Sequence, residues 1–433
     1  AVQGPPGTGK TYLGAHVIAA LVRDHGWRIG VVAQSHAVVE NLLDAVVDDA
    51  GLDPERVGKE LKGGASAEGR MFTVLKAGGQ AAFANGHAAS GFVLGGTAWT
   101  FSNDDRVPRG SLDLLVVDEA GQFSLASTIA AAVSARNLLL LGDPQQLPQV
   151  SQGSHPEPVD QSALGWIAAG HDVLPPELGY FLARSRRMHT AVAGPVSRLS
   201  YEGRLDAHPD APVRALEGVE PGLRSVPVEH RGNAQESPEE ADAVVVLVRD
   251  AIGRRWAEGD QERPLGQDDI IVITPYNAQR QTVHDALTAA GLGEVKVGTV
   301  DGFQGQEAAI SIVTLAASSP ADVPRGMSFL IMRNRLNVAI SRAKWAAYLV
   351  HSPALTDHLP PTPRGVAELS AFISLTEGEA GPGTTPSGAA DRRRPLARSD
   401  LQDRLDGIQA DPGLTDDLRR LGEETTDDLG PIR

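Results

Sequence analysis

Gly4-Pro5-Pro6-Gly7-Thr8-Gly9-Lys10-Thr11 decides the fold. The stretch matches G-x-x-x-x-G-K-T in full. Its glycines let backbone N–H groups face inward, so Gly4, Pro5, Gly7, Thr8 and Gly9 build a cradle for phosphate oxygens. Lys10 brings a positive charge to the β and γ phosphates of ATP, the Thr11 hydroxyl is a ligand for Mg²⁺, and the following helix adds its dipole. Tyr12, Leu13, Val17, Ile18, Leu21 and Val22 recur at helical spacing, so a helix is predicted over 12–25. Only Ala1-Val2-Gln3 precede the loop, with no initiator Met. A triphosphate loop needs a rigid strand behind it, so the chain is expected to be a fragment of a longer protein, cut on its N-terminal side.

Apolar runs at 29–33, 92–94, 112–117 and 138–141 predict strands alternating with helices, which implies a parallel sheet covered on both faces. Polar residues gather at the carboxyl ends of those strands, where open α/β sheets bind ligands. One strand runs into Asp118-Glu119. Asp118 suits Mg²⁺ held through water, and Glu119 suits the general base that polarises the attacking water. The next strand ends in Gly142-Asp143-Pro144-Gln145-Gln146-Leu147. A polar turn is one reading; a γ-phosphate sensor at Gln146 is the other.

A second α/β block starts near 178. Strands are predicted at 270–273, 295–300, 310–315 and 346–350, with helices over 241–256, 278–289 and 336–342. The expected division is a first domain over 1–177 with an insertion near 51–90, a second over 178–355 with an insertion near 201–240, and a low-complexity acidic tail over 356–433, mostly disordered. The net charge of −16 argues against a uniformly basic coat but not against a local basic groove. The absence of cysteine excludes disulfides and Cys-ligated metal centres within this chain and fits a cytoplasmic setting. No long apolar run is present, so no membrane partner is expected.

In this order the motifs resemble those of a superfamily 1 helicase, in the superfamily 1B group that includes the nonsense-mediated-decay helicase and the DNA-replication nuclease-helicases. The resemblance extends over roughly 3–351. Ala33-Gln34-Ser35-His36-Ala37 resembles motif Ia, and Gly96-Thr97 the next strand contact. Asp118-Glu119-Ala120-Gly121-Gln122 resembles motif II, and the Gly142–Leu147 segment motif III. Arg187-Met188-His189 resembles the family's Tyr-Arg-Met-His segment, with Arg186 where tyrosine often stands. Thr274–Gln279, Gly298–Glu307 and Leu336–Ala343 resemble motifs IV, V and VI.

The resemblance implies two tandem RecA-like P-loop domains that clamp ATP and Mg²⁺ between them. Lys10, Asp118, Glu119 and Gln146 would act from one side, Arg187 and Arg342 from the other. Arginine stays charged and presents a fixed fork, which suits a phosphate reached across a cleft. Glu307 would bond the ribose. Ser35, His36, Thr97, Tyr276 and Thr299 would touch single-stranded nucleic acid, through its phosphates and, at Tyr276, by stacking on a base. The implied activity is 5′→3′ translocation and unwinding. DNA is favoured over RNA by an Ala-, Gly- and Arg-rich composition. An RNA helicase or ribonucleoprotein remodeller, and an ATP-dependent switch that moves no strand, are the alternatives. A RecB-like nuclease domain upstream is an expectation by analogy.

Overall fold

The computed structural model describes residues 1–63, 66–149, 155, 158–159, 161–209, 211–303 and 305–377. Its first lobe is built on β1 (Val2–Gln3), β2 (Arg28–Val32), β3 (Val57–Glu60), β4 (Thr73–Leu75), β5 (Phe92–Gly96), β6 (Leu114–Val117), β7 (Leu138–Gly142) and β8 (Tyr180–Phe181). All pair in parallel, in the order β4-β3-β5-β2-β6-β7-β1-β8. Its helices are α1 (Lys10–His25), α2 (His36–Asp48), α3 (Gln80–Gly86), α4 (Ala98–Ser102), α5 (Leu125–Ala132) and α6 (Ala163–Ala168).

The strand residues explain the layering. Successive strand side chains point to opposite faces. Val31, Val93, Leu114 and Val116 pack with Ile18 and Val22 of α1 and with Leu42 and Leu43 of α2. Their neighbours Val32, Leu94, Leu115 and Val117 pack with Phe101, Ala131 and Leu164 of α4, α5 and α6. Both faces are therefore dry, as an all-parallel sheet requires.

The second lobe carries β9 (Arg184–Ser185), β10 (Asp206–Ala207), β11 (Arg214–Leu216), β12 (Gly222–Pro227), β13 (Arg255–Glu258), β14 (Gln261–Pro264), β15 (Ile270–Thr274), β16 (Lys296–Thr299), β17 (Ala308–Thr314) and β18 (Ala343–His351). Its main sheet is parallel, in the order β12-β18-β17-β15-β16. The helices are α7 (Thr190–Ser200), α8 (Pro238–Ala251), α9 (Asn277–Ala289), α10 (Met327–Leu330), α11 (Arg333–Ile340) and α12 (Pro363–Glu377). The same alternation recurs: Ile271 and Ile273 face α7, α11 and α12, while Ile270 and Val272 face α8 and α9.

The fold class is the one expected; several segments differ from the sequence reading. The first sheet takes β8 from beyond residue 177. The stretch near 51–90 supplies β3, β4 and α3 and so belongs to the sheet. Within 201–240, β12 forms an edge of the second main sheet. The helix over 241–256 stops at Ala251, because Gly253 at φ 79° turns the chain into the β13–β14 hairpin. The tail is not uniformly structureless: α12 buries Leu369, Phe372 and Leu375 in the second lobe's core. The tail beyond 377 lies outside the described residues. Among the described residues no helix is long and apolar enough to cross a membrane.

Candidate nucleotide site and nucleic-acid interface

β6, β7 and β1 are neighbours, and all three point the same way. The loops that follow them therefore meet at one edge. Backbone hydrogen bonds lace them together: Gly4 N–H donates to Gly142 O at 2.8 Å and Ala120 N–H to Leu141 O at 2.8 Å. Gly121 is required there, since a Cβ would stand 2.4 Å from the Asp143 carbonyl oxygen. The phosphate loop leans on the second lobe. Ser185 Oγ donates to Pro6 O at 2.8 Å, and Arg186 N–H to Gly7 O at 2.8 Å. Gly7 adopts φ +74°, and a Cβ on it would lie 2.4 Å from that of Arg187. No L side chain suits that position.

A cleft of about 600 Å³ opens over these loops and gathers Gly4, Pro5, Gly7, Thr8, Gly9, Lys10, Thr11, Asp118, Glu119 and Gln146 with Arg187 and Arg342 of the second lobe. Lys10 Nζ pairs with Glu119 Oε1 at 3.0 Å. Glu119 sits at φ 52°, a left-handed conformation that costs a non-glycine residue about 1 kcal/mol or more. Burial opposes the Lys10 charge, but the Glu119 and Asp118 carboxylates outweigh it and hold the ammonium above its ordinary pKa.

Asp118 is pushed up to about 6 by burial and by the Glu119 charge, against the pull of Lys10. A buried carboxylate short of compensating charge fits a cation, and the Thr11 hydroxyl lies in the same cleft. Among the described residues the Nε2 amide of Gln122, also in the cleft, is buried without a partner. The donor set thus fits a magnesium triphosphate.

The Asp118 shift has a pH consequence. A carboxyl raised on folding contributes stability that is complete below its unfolded value of 3.8 and is lost as pH rises through about 6. A divalent cation needs the ionised form. Mg²⁺ affinity is therefore expected to fall as pH drops through 6, and titration calorimetry from pH 5.5 to 7.5 measures it. A flat profile rejects Asp118 as the metal-linked carboxylate.

From the second lobe, Arg342 is 2% exposed and donates from Nε to Val338 O at 3.0 Å and from Nη1 to Gln306 O at 3.1 Å. Burial, then the nearby Arg187 charge, pushes it down to about 9, so it stays charged at neutral pH. Arg187 Nε donates to Glu307 Oε2 at 2.7 Å. Glu307 also pairs with Lys344 at 3.3 Å. Burial works against the Glu307 charge, yet Arg187 and Lys344 hold its pKa below the usual range.

Glu307 does not line the nucleotide cleft, and its oxygens pair with two cations. We expect Glu307→Gln to lower turnover by up to about fivefold through a misplaced Arg187, since a partly exposed pair is worth about 1 kcal/mol. The ratio of KM for ATP to that for 2′-deoxy-ATP is expected to stay unchanged. A changed ratio restores the ribose role.

Sequence reading missed the join between the lobes. Asp143 Oδ2 accepts from Tyr201 Oη at 2.6 Å and from Gln146 Nε2 at 3.0 Å, and Oδ1 accepts from Gln3 Nε2 at 3.3 Å. Asn337 Nδ2 donates to Tyr201 Oη and to Gln145 O, each at 2.8 Å. Asn334 Nδ2 donates to Gln146 O at 2.6 Å and to Pro144 O at 3.0 Å. The Asp143–Leu147 turn is thereby held by α11. Burial raises the Asp143 pKa despite these donors.

The expected strand contacts divide. Ser35 lines the nucleotide cleft, and its Oγ caps α2 by accepting from Val38 N–H at 3.3 Å. His36 follows at the start of α2. Thr97 caps α4 at the end of β5, beside Trp99, which is 84% exposed. β5, β2 and β6 are adjacent and parallel, so Thr97, His36 and the Asp118 loop share one edge. Tyr276 is 8% exposed, and its ring stacks on Phe329 at 5.8 Å. That side chain belongs to the core and offers little to a base. Among the described residues its Oη, however, is buried without a partner, as is Arg335 Nε. Both residues line a hollow of about 370 Å³ with Thr299 and Arg325. Arg325 and Arg335 lie 4.9 Å and 4.4 Å from the Phe329 ring centroid. Their sequence signal was only a pair of arginines flanking an apolar stretch.

Family models described as "AAA domain" match residues 1–163 and 168–353. Among solved structures, an Arterivirus nonstructural protein 10 (helicase) aligns over 81% of this chain and 58% of its own, at TM-score 0.45 and 17% identity. The DNA-binding protein SMUBP-2 of Rattus norvegicus is 27% identical across 82% of this chain and 41% of its own length. The DNA replication ATP-dependent helicase/nuclease DNA2 of Bos taurus is 26% identical across 63% of this chain and 28% of its own. The DNA polymerase alpha-associated DNA helicase A of Schizosaccharomyces pombe is 30% identical across 54% and 36% respectively. The chain spans less than half the length of each of these curated relatives. Family-model matches running through both lobes, together with these relatives, lead to one assignment: the chain belongs to the superfamily 1 DNA/RNA helicases, in the nonsense-mediated-decay and DNA2-like group.

Proposed function

We propose that this chain is the ATP-driven motor of a helicase that moves 5′→3′ along single-stranded nucleic acid, DNA in preference to RNA. One observation carries the reading: Lys10 and Glu119 of the first lobe share a cleft with Arg187 and Arg342 of the second. A triphosphate there bridges the lobes. Mg²⁺, held by Thr11 and Asp118, would supply positive charge to the β and γ phosphates. Lys10 turns from Glu119 to the phosphates, which frees the Glu119 carboxylate to take a proton from the attacking water. Gln146 reports the γ-phosphate to the Asp143 turn and hence to α11. Arg187 and Arg342 neutralise the charge that develops on the departing phosphate. Once that phosphate leaves, the two guanidinium groups lose the charge that draws them toward the first lobe, and the cleft relaxes.

The strand would lie along the edge that carries Thr97 and His36 and continue to the Thr299 hollow, whose unpartnered Tyr276 and Arg335 donors suit a phosphate. The preference for DNA draws support from relatives whose names refer to DNA. A nuclease domain in the longer protein, as in the helicase/nuclease relatives, belongs to the same proposal. Strand displacement from duplexes with a 5′ or a 3′ single-stranded tail tests it. Unwinding from the 5′ tail is expected; unwinding from the 3′ tail alone rejects the polarity. ATP turnover that single strands do not stimulate favours a switch that moves no strand.

A further inference from the structure

Beneath the start of α2 lies a lysine with no access to water. Lys59, on β3, is 0% exposed. Its Nζ donates to Glu40 Oε1 at 2.9 Å, to the Glu60 carbonyl at 3.1 Å and to His36 Nδ1 at 3.0 Å. All three ammonium hydrogens are thus engaged. Glu40 is 4% exposed and also pairs with Arg70, so the buried carboxylate has cations on two sides. An ammonium has no lone pair, so Nδ1 of His36 must accept. The ring proton then sits on Nε2. Among the described residues Nε2 has no partner, and the ring is only partly buried.

We propose that Lys59 is a positioning residue that fixes His36 as a neutral ring offering Nε2–H to the backbone of the bound strand. The inference rests on the reading of the His36 edge as part of the strand track. The charged groups facing the ring are Lys59 on β3, Lys62 just after it and Glu40 on α2. Burial and then Lys59 hold the imidazole below its ordinary pKa, and Glu40 opposes them. A neutral donor adds directionality without adding a pH-dependent charge to the grip. It also sits one residue from Ser35, which lines the nucleotide cleft, so α2 begins at both sites at once.

Anisotropy titrations of a labelled oligothymidylate at pH 6, 7 and 8 test the inference. Wild type is expected to bind with no added step near pH 6 to 7 from this histidine. His36→Ala is expected to weaken binding by about tenfold at pH 7, the value of one hydrogen bond to a charged group. His36→Gln, whose amide reaches as far as Nε2, is expected to restore most of that loss. Lys59→Met releases Nδ1 and leaves the ring facing Glu40, so binding weakens at pH 8 and recovers toward pH 6. The double variant with His36→Gln is expected to lose that recovery. If Lys59→Met does not fold, the tautomer is read in the wild-type protein by long-range ¹H–¹⁵N correlation, with His36→Gln assigning the signal. A proton on Nδ1, or an imidazolium at pH 7, overturns the inference. Lys59→Met matching wild type in affinity and pH profile, while wild type binds the oligonucleotide, overturns it as well. Wild type that binds no single strand overturns the reading beneath it.

Discussion

Glu119→Gln is expected to cut strand-stimulated ATP turnover by about 10²- to 10⁴-fold, the range that a positioned general base contributes. Nucleotide binding is expected to hold or tighten, because Lys10 no longer has a carboxylate 3.0 Å away competing with phosphate. The same substitution removes one of the charges that lifts Asp118, so that carboxyl ionises more readily and metal binding eases at acid pH. Quenched-flow phosphate release, alongside equilibrium binding of a non-hydrolysable analogue, separates the two effects. Turnover at the wild-type rate would remove Glu119 from the chemistry.

Arg342→Ala is expected to lower turnover by about 10³- to 10⁵-fold, the range for an arginine that stabilises phosphoryl transfer. Arg342→Lys is not expected to rescue it, because a point charge on a flexible stem cannot reproduce the guanidinium fork. The side chain also braces Val338 and Gln306, so part of any loss is structural. A thermal melt measures that part: a variant that melts like wild type yet fails to hydrolyse assigns the deficit to the cleft. Activity within tenfold of wild type rejects Arg342 as the arginine acting across the cleft.

The part of the fold legible in the sequence was the part written in contiguous patterns. The phosphate loop, the apolar run into Asp118-Glu119 and the Gly142–Leu147 turn each lie within a few residues, and period-2 burial along the strands follows from apolar content alone. The site's connections were not legible, because their partners are far apart in sequence. Tyr201 meets Asp143 across 58 positions and Asn337 across 136. Lys59 sits in a stretch whose glycines, alanines and mixed charges suggested an insertion, and the helical spacing of Leu369, Phe372 and Leu375 was masked by the acids around it. Tyr276 and Glu307 show why residue type alone does not place a role: a side chain suited to a ligand is equally suited to a neighbour, Phe329 for one and Arg187 for the other.

The turn held by Asn334 and Asn337 has a consequence for ionic strength. Those amide-to-carbonyl bonds carry no formal charge, and mobile ions barely weaken them. A grip on phosphates is different, since each contact displaces counterions and loosens steeply as salt rises. Added electrolyte should therefore release a bound single strand while this uncharged link between the lobes persists.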